Sequence, residues 1–237
     1  MILNIAKTHS SWHSILKSSL SLMNQNYLQK LEKSDNWLPG KENIFNAFTL
    51  PFSQTKRILL GESPYPRKAS AIGYAFWDGA VDNIFLDDKA PFSELKLSKS
   101  VNRATSLRNF IKMLLSVSDP DSPKTVTLSQ LFQNLMKNGF LLLNASLVFD
   151  DKDTVKDHAK QWYPFMMNVL TRIYEKKPSV ELLLFGKIAH LLNPYILQHH
   201  PNLKTLVAEH PYNLSFIKNP VVLNYFQQFN LIDSKFS

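Results

Sequence analysis

Four short apolar runs with polar flanks punctuate the chain: Arg57-Ile58-Leu59-Leu60, Phe140-Leu141-Leu142-Leu143, Glu181-Leu182-Leu183-Leu184-Phe185 and Thr205-Leu206-Val207-Ala208. Their apolar positions are continuous rather than alternating. That pattern suits strands buried on both faces, as in a parallel sheet. Leucine is not a strong strand former, so the shortness of the runs and their polar flanks decide the assignment. Between them the apolar period changes to three and four. Trp12, Ile15, Leu16, Leu20 and Met23 mark one helix. Leu107, Phe110, Ile111, Leu114 and Leu115 mark a second, with Thr105-Ser106 as its expected N-cap. Trp162, Phe165, Met166, Val169 and Ile173 mark a third, and Ile188, Leu191 and Leu192 a short fourth that Pro194 should stop. Strands alternating with helices predict an α/β fold, here a three-layer α/β/α arrangement around a central four-stranded parallel sheet. No repeat or low-complexity linker divides the chain, so residues 1–237 are expected to form a single domain.

Each expected strand runs into a polar or glycine-bearing segment: Gly61-Glu62-Ser63-Pro64-Tyr65, Asn144-Ala145-Ser146, Gly186-Lys187 and Glu209-His210-Pro211. In open parallel sheets ligands bind at the carboxyl ends of the strands. If the four strands are parallel, Ser63, Asn144, Lys187 and His210 converge on one rim.

Composition narrows the chemistry. With 44% hydrophobic residues, the 237-residue chain can build one sizeable core. A net charge of +8 favours a polyanionic partner, nucleic acid or an acidic surface. The absence of cysteine excludes disulfides, thiolate zinc sites, cysteine nucleophiles and cysteine-ligated iron–sulfur clusters. No run approaches the ~18 apolar residues of a membrane span. The apolar patch within MILNIAKTHSSWHS is too short for a secretory signal. A soluble, intracellular (cytoplasmic) protein is expected.

The segment GESPYPRKASAIGYAF resembles the water-activating loop of uracil-DNA glycosylases, G-Q-D-P-Y-H followed by G-L-x-F-S; Gly61, Pro64, Tyr65, Gly73 and Phe76 match. LLLNASLVF resembles that family's L-L-L-N-x-x-L-T, LLLFGKIAH its L-L-W-G-x-x-A, and HPYNLS its H-P-S-P-L-S. The stretch from Ser106 to Leu115 resembles its S-L-x-N-I helix. Five motifs in order, spanning Trp12 to Leu231, resemble family 1 of that superfamily most. The resemblance implies base extrusion into a pocket, because a base stacked in a duplex is out of reach. It implies that Phe76 stacks on the extruded uracil. On the same resemblance Asn144 would pair with the polar edge, its amide offering both donor and acceptor. Tyr65 would reject thymine by clash with the methyl group. His210 would donate to the uracil oxygen that gains charge as the glycosidic bond breaks. Leu214 would fill the gap in the duplex, with Ser215 and Lys218 following it against the backbone.

The departures matter as much. Ser63 stands where the family carries an aspartate that orients water, and serine is no base near neutral pH. Glu62 is adjacent, on a segment whose neighbouring residues point apart. A G-E-x-P loop also resembles the iron–sulfur branch of the superfamily, whose cluster the lack of cysteine excludes. Pro66 replaces a histidine, and Tyr212 and Asn213 replace a serine and a proline. Lys187 replaces a serine that contacts phosphate, and an ammonium also binds phosphate. The expected function is a DNA repair glycosylase, acting as a monomer on uracil-containing single- or double-stranded DNA without metal or cofactor. Its catalytic residues would be His210, Ser63 and Glu62, and its activity altered by the missing acid. Two alternatives stand beside it: a non-catalytic base-flipping module, and a glycosylase for another damaged or mismatched base.

Overall fold

The computed structural model describes residues 3–87 and 89–234; within 187–199 the side chains of 188–191 and 195 also lie outside the description, among them those of Ile188 and Leu191. Four strands form one all-parallel sheet: β1 (Arg57–Gly61), β2 (Phe140–Asn144), β3 (Glu181–Phe185) and β4 (Lys204–Ala208), in the order β2-β1-β3-β4. The register pairs Gly61 with Asn144, Leu60 with Leu184, and Phe185 with Ala208. The carboxyl ends of all four strands therefore lie level along one edge.

Strand geometry sends alternate side chains to opposite faces. Ile58, Leu60, Leu141, Leu143, Leu182 and Leu184 enter one core layer, packed on Trp12, Leu16, Trp162 and Phe165. Leu59, Phe140, Leu142, Leu183, Phe185 and Leu206 enter the other, packed on Phe110, Leu131, Phe132 and Phe226. The first layer belongs to α1 (His13–Ser21), α2 (Gln25–Lys33), α6 (Val155–Lys176) and α7 (Lys187–His199). The second belongs to α3 (Lys99–Arg103), α4 (Thr105–Ser116), α5 (Leu128–Lys137) and α8 (Pro220–Phe226). Both faces of β1, β2 and β3 are covered, which is why their apolar runs are continuous. The arrangement is the predicted α/β/α sandwich.

Three local expectations are corrected. β4 is an edge strand and is not buried on both faces: Lys204 is exposed and Val207 is 38% exposed. Thr105 and Ser106 do not cap α4, because α3 runs straight into it. Ala104 takes the non-helical dihedrals between them, and Ser98 caps α3 by accepting from the Val101 N–H. Pro194 does not stop α7 but lies inside it. A mid-helix proline costs about 3 kcal/mol. Leu192 and Ile196, on either side of it, are both buried in the core layer. Each such burial returns about 1.5–3 kcal/mol, enough to carry the helix through.

Candidate active site

The loop after β1 is pinned to the end of β2. The Ala145 N–H donates to the Gly61 carbonyl (2.8 Å) and the Ser146 N–H to that of Glu62 (3.0 Å). Ser146, fully buried, turns its hydroxyl back onto the Val148 carbonyl. A cavity of about 200 Å³ opens above these strand ends, lined by residues 61–66 together with Phe76, Ser106, Asn144 and His210. Gly61 is required at its floor. A Cβ there would stand 2.7 Å from Asn144 Oδ1 and 3.3 Å from the Phe76 ring.

Phe76 holds a φ of +62°, a conformation that a bulky residue adopts at a cost of order 1–3 kcal/mol. Its surroundings over-determine it. The Tyr65 hydroxyl donates to its carbonyl (3.0 Å) and the preceding Ala75 N–H donates to Leu142 (3.1 Å). Its ring lies nearly parallel to Phe110 (6.1 Å between centroids), edge-on to Phe185 (5.9 Å) and 5.8 Å from the His210 ring. An aromatic ring thus lines the cavity in a fixed place. Burial pushes the Tyr65 phenol pKa up, and the nearby Asp78 carboxylate adds to this. The phenol stays a neutral donor.

His210 leaves β4 by its carboxyl end. Its Nδ1 accepts the Tyr212 backbone N–H at 3.1 Å. A backbone N–H can only donate, so in the neutral ring the proton sits on Nε2. Burial pushes the imidazole pKa below its usual range; the Glu62 carboxylate pulls the other way without overcoming it. The result is a neutral ring whose Nε2–H serves as donor.

A second recess, of about 450 Å³, adjoins the first and shares Glu62 and His210 with it; Lys187, Gly186 and Tyr212 are among its other walls. Gly186 has φ +91°, and a Cβ there would collide with the Glu62 carboxylate. Glu62 thus reaches across to the start of α7, where the helix dipole favours negative charge. Ser63 faces the smaller cavity, Lys187 the larger one.

Ser63, Asn144 and His210 therefore lie together, with Glu62, Tyr65 and Phe76, and Lys187 stands beside them in the adjoining recess. Leu214, Ser215 and Lys218 lie outside both cavities, exposed on the 3-10 turn Leu214–Lys218; Leu214 is 70% exposed. Sequence reasoning missed two positioning residues. Asn109, fully buried on α4, donates its amide to the carbonyls of Pro211 (2.7 Å) and Tyr212 (3.3 Å) and so fixes the loop that carries His210. Its signal was its place as the Asn of the S-L-x-N-I-like stretch, an amide among Leu107, Phe110 and Met113 on the buried face of an amphipathic helix. Asp78, fully buried, accepts from Arg67 (3.1 Å) and from the Ala80 N–H (2.9 Å), tying the far end of the Tyr65 loop to the Phe76 loop.

No family model matches the chain. Among curated proteins it is similar to the uracil-DNA glycosylase of Psychromonas ingrahamii, 27% identical over 93% of this chain and 94% of that one. That of Fusobacterium nucleatum is 26% identical over 96% and 92%. Among solved structures it is similar to wild-type UNG from Nitratifractor salsuginis, with TM-score 0.83, 32% identity, and coverage of 96% of this chain and 93% of that one. The mimivirus uracil-DNA glycosylase shares the fold at TM-score 0.56 and 20% identity, over 89% of this chain and 70% of that one. With 32% identity sustained over nearly the full length of both chains, on the same α/β/α frame, the chain belongs to the uracil-DNA glycosylase superfamily.

Proposed function

We propose that the protein extrudes uracil from DNA inside the cell and hydrolyses its N-glycosidic bond. The observation that carries this reading is the grouping of four complementary groups at one strand-end cavity: the Phe76 ring, the Asn144 amide, the Tyr65 ring and the Nε2–H of His210. An extruded pyrimidine stacks on Phe76 and pairs through Asn144 with a ring edge that presents a carbonyl beside an N–H. Tyr65 occupies the space a thymine methyl needs.

As the glycosidic bond breaks, negative charge gathers on the departing base and positive charge on the sugar. A neutral imidazole that donates to the base oxygen gains most in the transition state, so its contribution falls on rate rather than on binding. Ser63, assisted by Glu62, positions the water that attacks the sugar. Neither supplies the charge of an aspartate at position 63, so the rate is reduced. Lys187, Leu214, Ser215 and Lys218 hold the DNA, the cations through phosphates and Leu214 as the wedge.

Release of base from oligonucleotides carrying a single uracil or a single thymine tests the pocket. Asn144→Ala is expected to remove the preference for uracil while leaving general DNA affinity near wild type. An unchanged preference in that variant would overturn the pocket assignment. A second reading, base extrusion without cleavage, is favoured by one observation: Ser63 carries no charge, and the Glu62 carboxylate is turned against Gly186.

A further inference from the structure

The loop that carries His210 displays a second large side chain besides Leu214. Tyr212 is 66% exposed. A lone exposed aromatic needs no explanation, but the backbone beneath this one is unusually constrained. Its N–H is held by His210 Nδ1 (3.1 Å) and its carbonyl by Asn109 (3.3 Å). The carbonyl before it is held by the same amide (2.7 Å), and the N–H after it by the His210 carbonyl (2.9 Å). Asn109 is itself fully buried, so the anchor belongs to the core. The loop thus presents an open aromatic ring on a backbone held by four hydrogen bonds, as one wall of the recess adjoining the base cavity, with Lys187 on another wall. Tyrosine offers a large flat area for the ordering of only two side-chain torsions.

We propose that Tyr212 is a stacking platform for the nucleobase next to the extruded one, so that the loop grips DNA through two side chains, Leu214 as wedge and Tyr212 as platform. The proposal rests on the base-extrusion reading, which places the strand along this rim. The ligand is an unstacked base with its phosphate near Lys187. Every base has a π-face, so the contact is tolerant of sequence. In a duplex the neighbouring base is held by its own partner and its stack. In a single strand it is free to turn onto Tyr212. The platform therefore acts mainly on single strands.

The test uses a fluorescently labelled oligonucleotide carrying one 2′-fluoro-deoxyuridine, whose glycosidic bond resists cleavage, as single strand and as duplex, with a thymine strand as control. Tyr212→Ala and Tyr212→Phe both keep the backbone N–H that holds His210, and the exposed side chain makes no demand on folding. Tyr212→Ala is expected to weaken single-strand binding by about 5- to 150-fold, the range for loss of one base–aromatic stack, and duplex binding by less. Tyr212→Phe should bind as wild type, because the ring and not the hydroxyl makes the contact. Wild-type affinity in Tyr212→Ala, a loss in Tyr212→Phe equal to that in Tyr212→Ala, or a loss in duplex as large as in single strand would each overturn the proposal. Equal wild-type binding to the uracil and thymine strands would count against base extrusion instead, and the Tyr212 comparison on either strand would still decide the platform.

Discussion

Replacing Gly61 by alanine would test the geometry of the base cavity without removing any functional group. The added Cβ would sit 2.7 Å from Asn144 Oδ1, about 0.7 Å inside the 3.4 Å at which ordinary contact begins, and 3.3 Å from both Ala75 Cβ and the Phe76 ring. The backbone has little room to yield. Gly61 and Asn144 are register partners, and their loops are tied by the Ala145 and Ser146 N–H groups. The strain must fall on the Asn144 amide, which either recedes or rotates away from the base. A misplacement of about 1 Å at a reacting centre can cost on the order of 10²-fold in rate. Overpacking of this kind destabilises by about 1–3 kcal/mol, about 2–12 °C in melting temperature for a chain of this size, so the variant should remain folded in an assay at about 25 °C or below. The expected result is a fall of about 10²-fold in uracil release by Gly61→Ala, with DNA binding retained. A folded Gly61→Ala protein that releases uracil at the wild-type rate would refute the reasoning. It would mean that Asn144 does not read the base from the position described.

Two further outcomes follow from the loop and the histidine. Ser63→Asp restores a charge beside the developing sugar cation and should raise uracil release by about 10²–10³-fold; no gain there, together with abolition in Glu62→Gln, would transfer the water-positioning role to Glu62. His210 has its folded-state pKa depressed below the ordinary 6.5. Its contribution to stability is therefore complete above that value, and is lost as the pH falls from it down through the lower folded-state value, because the unfolded chain takes up the proton first. Chemical denaturation across that window should show a decline in wild type that is smaller in His210→Gln. Uracil release should also fall on the acid side, where protonation of Nδ1 breaks the Tyr212 contact; a loss on the alkaline side instead would contradict a neutral donor.

Three strands of the sheet were legible because burial on both faces writes itself as continuous apolar runs; β4, half-exposed at the edge, was found by its short Leu-Val-Ala run and polar exit. All four strands lie where those runs predict, within one residue at either end. The rim was legible for a related reason: a parallel sheet puts every strand's exit at one edge, so the residues that follow the runs must meet. What escaped was set by contacts distant in sequence. Pro194 reads locally as a stop and is overridden by Leu192 and Ile196 in the core. Thr105 reads locally as a cap until α3 is seen to abut α4. Asn109 and Asp78 carry no local signature of their partners, which lie 102 and 11 residues away. The positive φ of Phe76 is likewise a product of its packing and not of its side-chain type.

Counting abasic sites left in a uracil-containing single-stranded oligonucleotide by the wild-type protein tests the central claim most directly, with the released base identified alongside. The account predicts free uracil and one abasic site for each uracil lost, at a rate that Ser63→Asp increases. Wild-type protein and Ser63→Asp that bind the strand, remain folded and leave every uracil in place would contradict it.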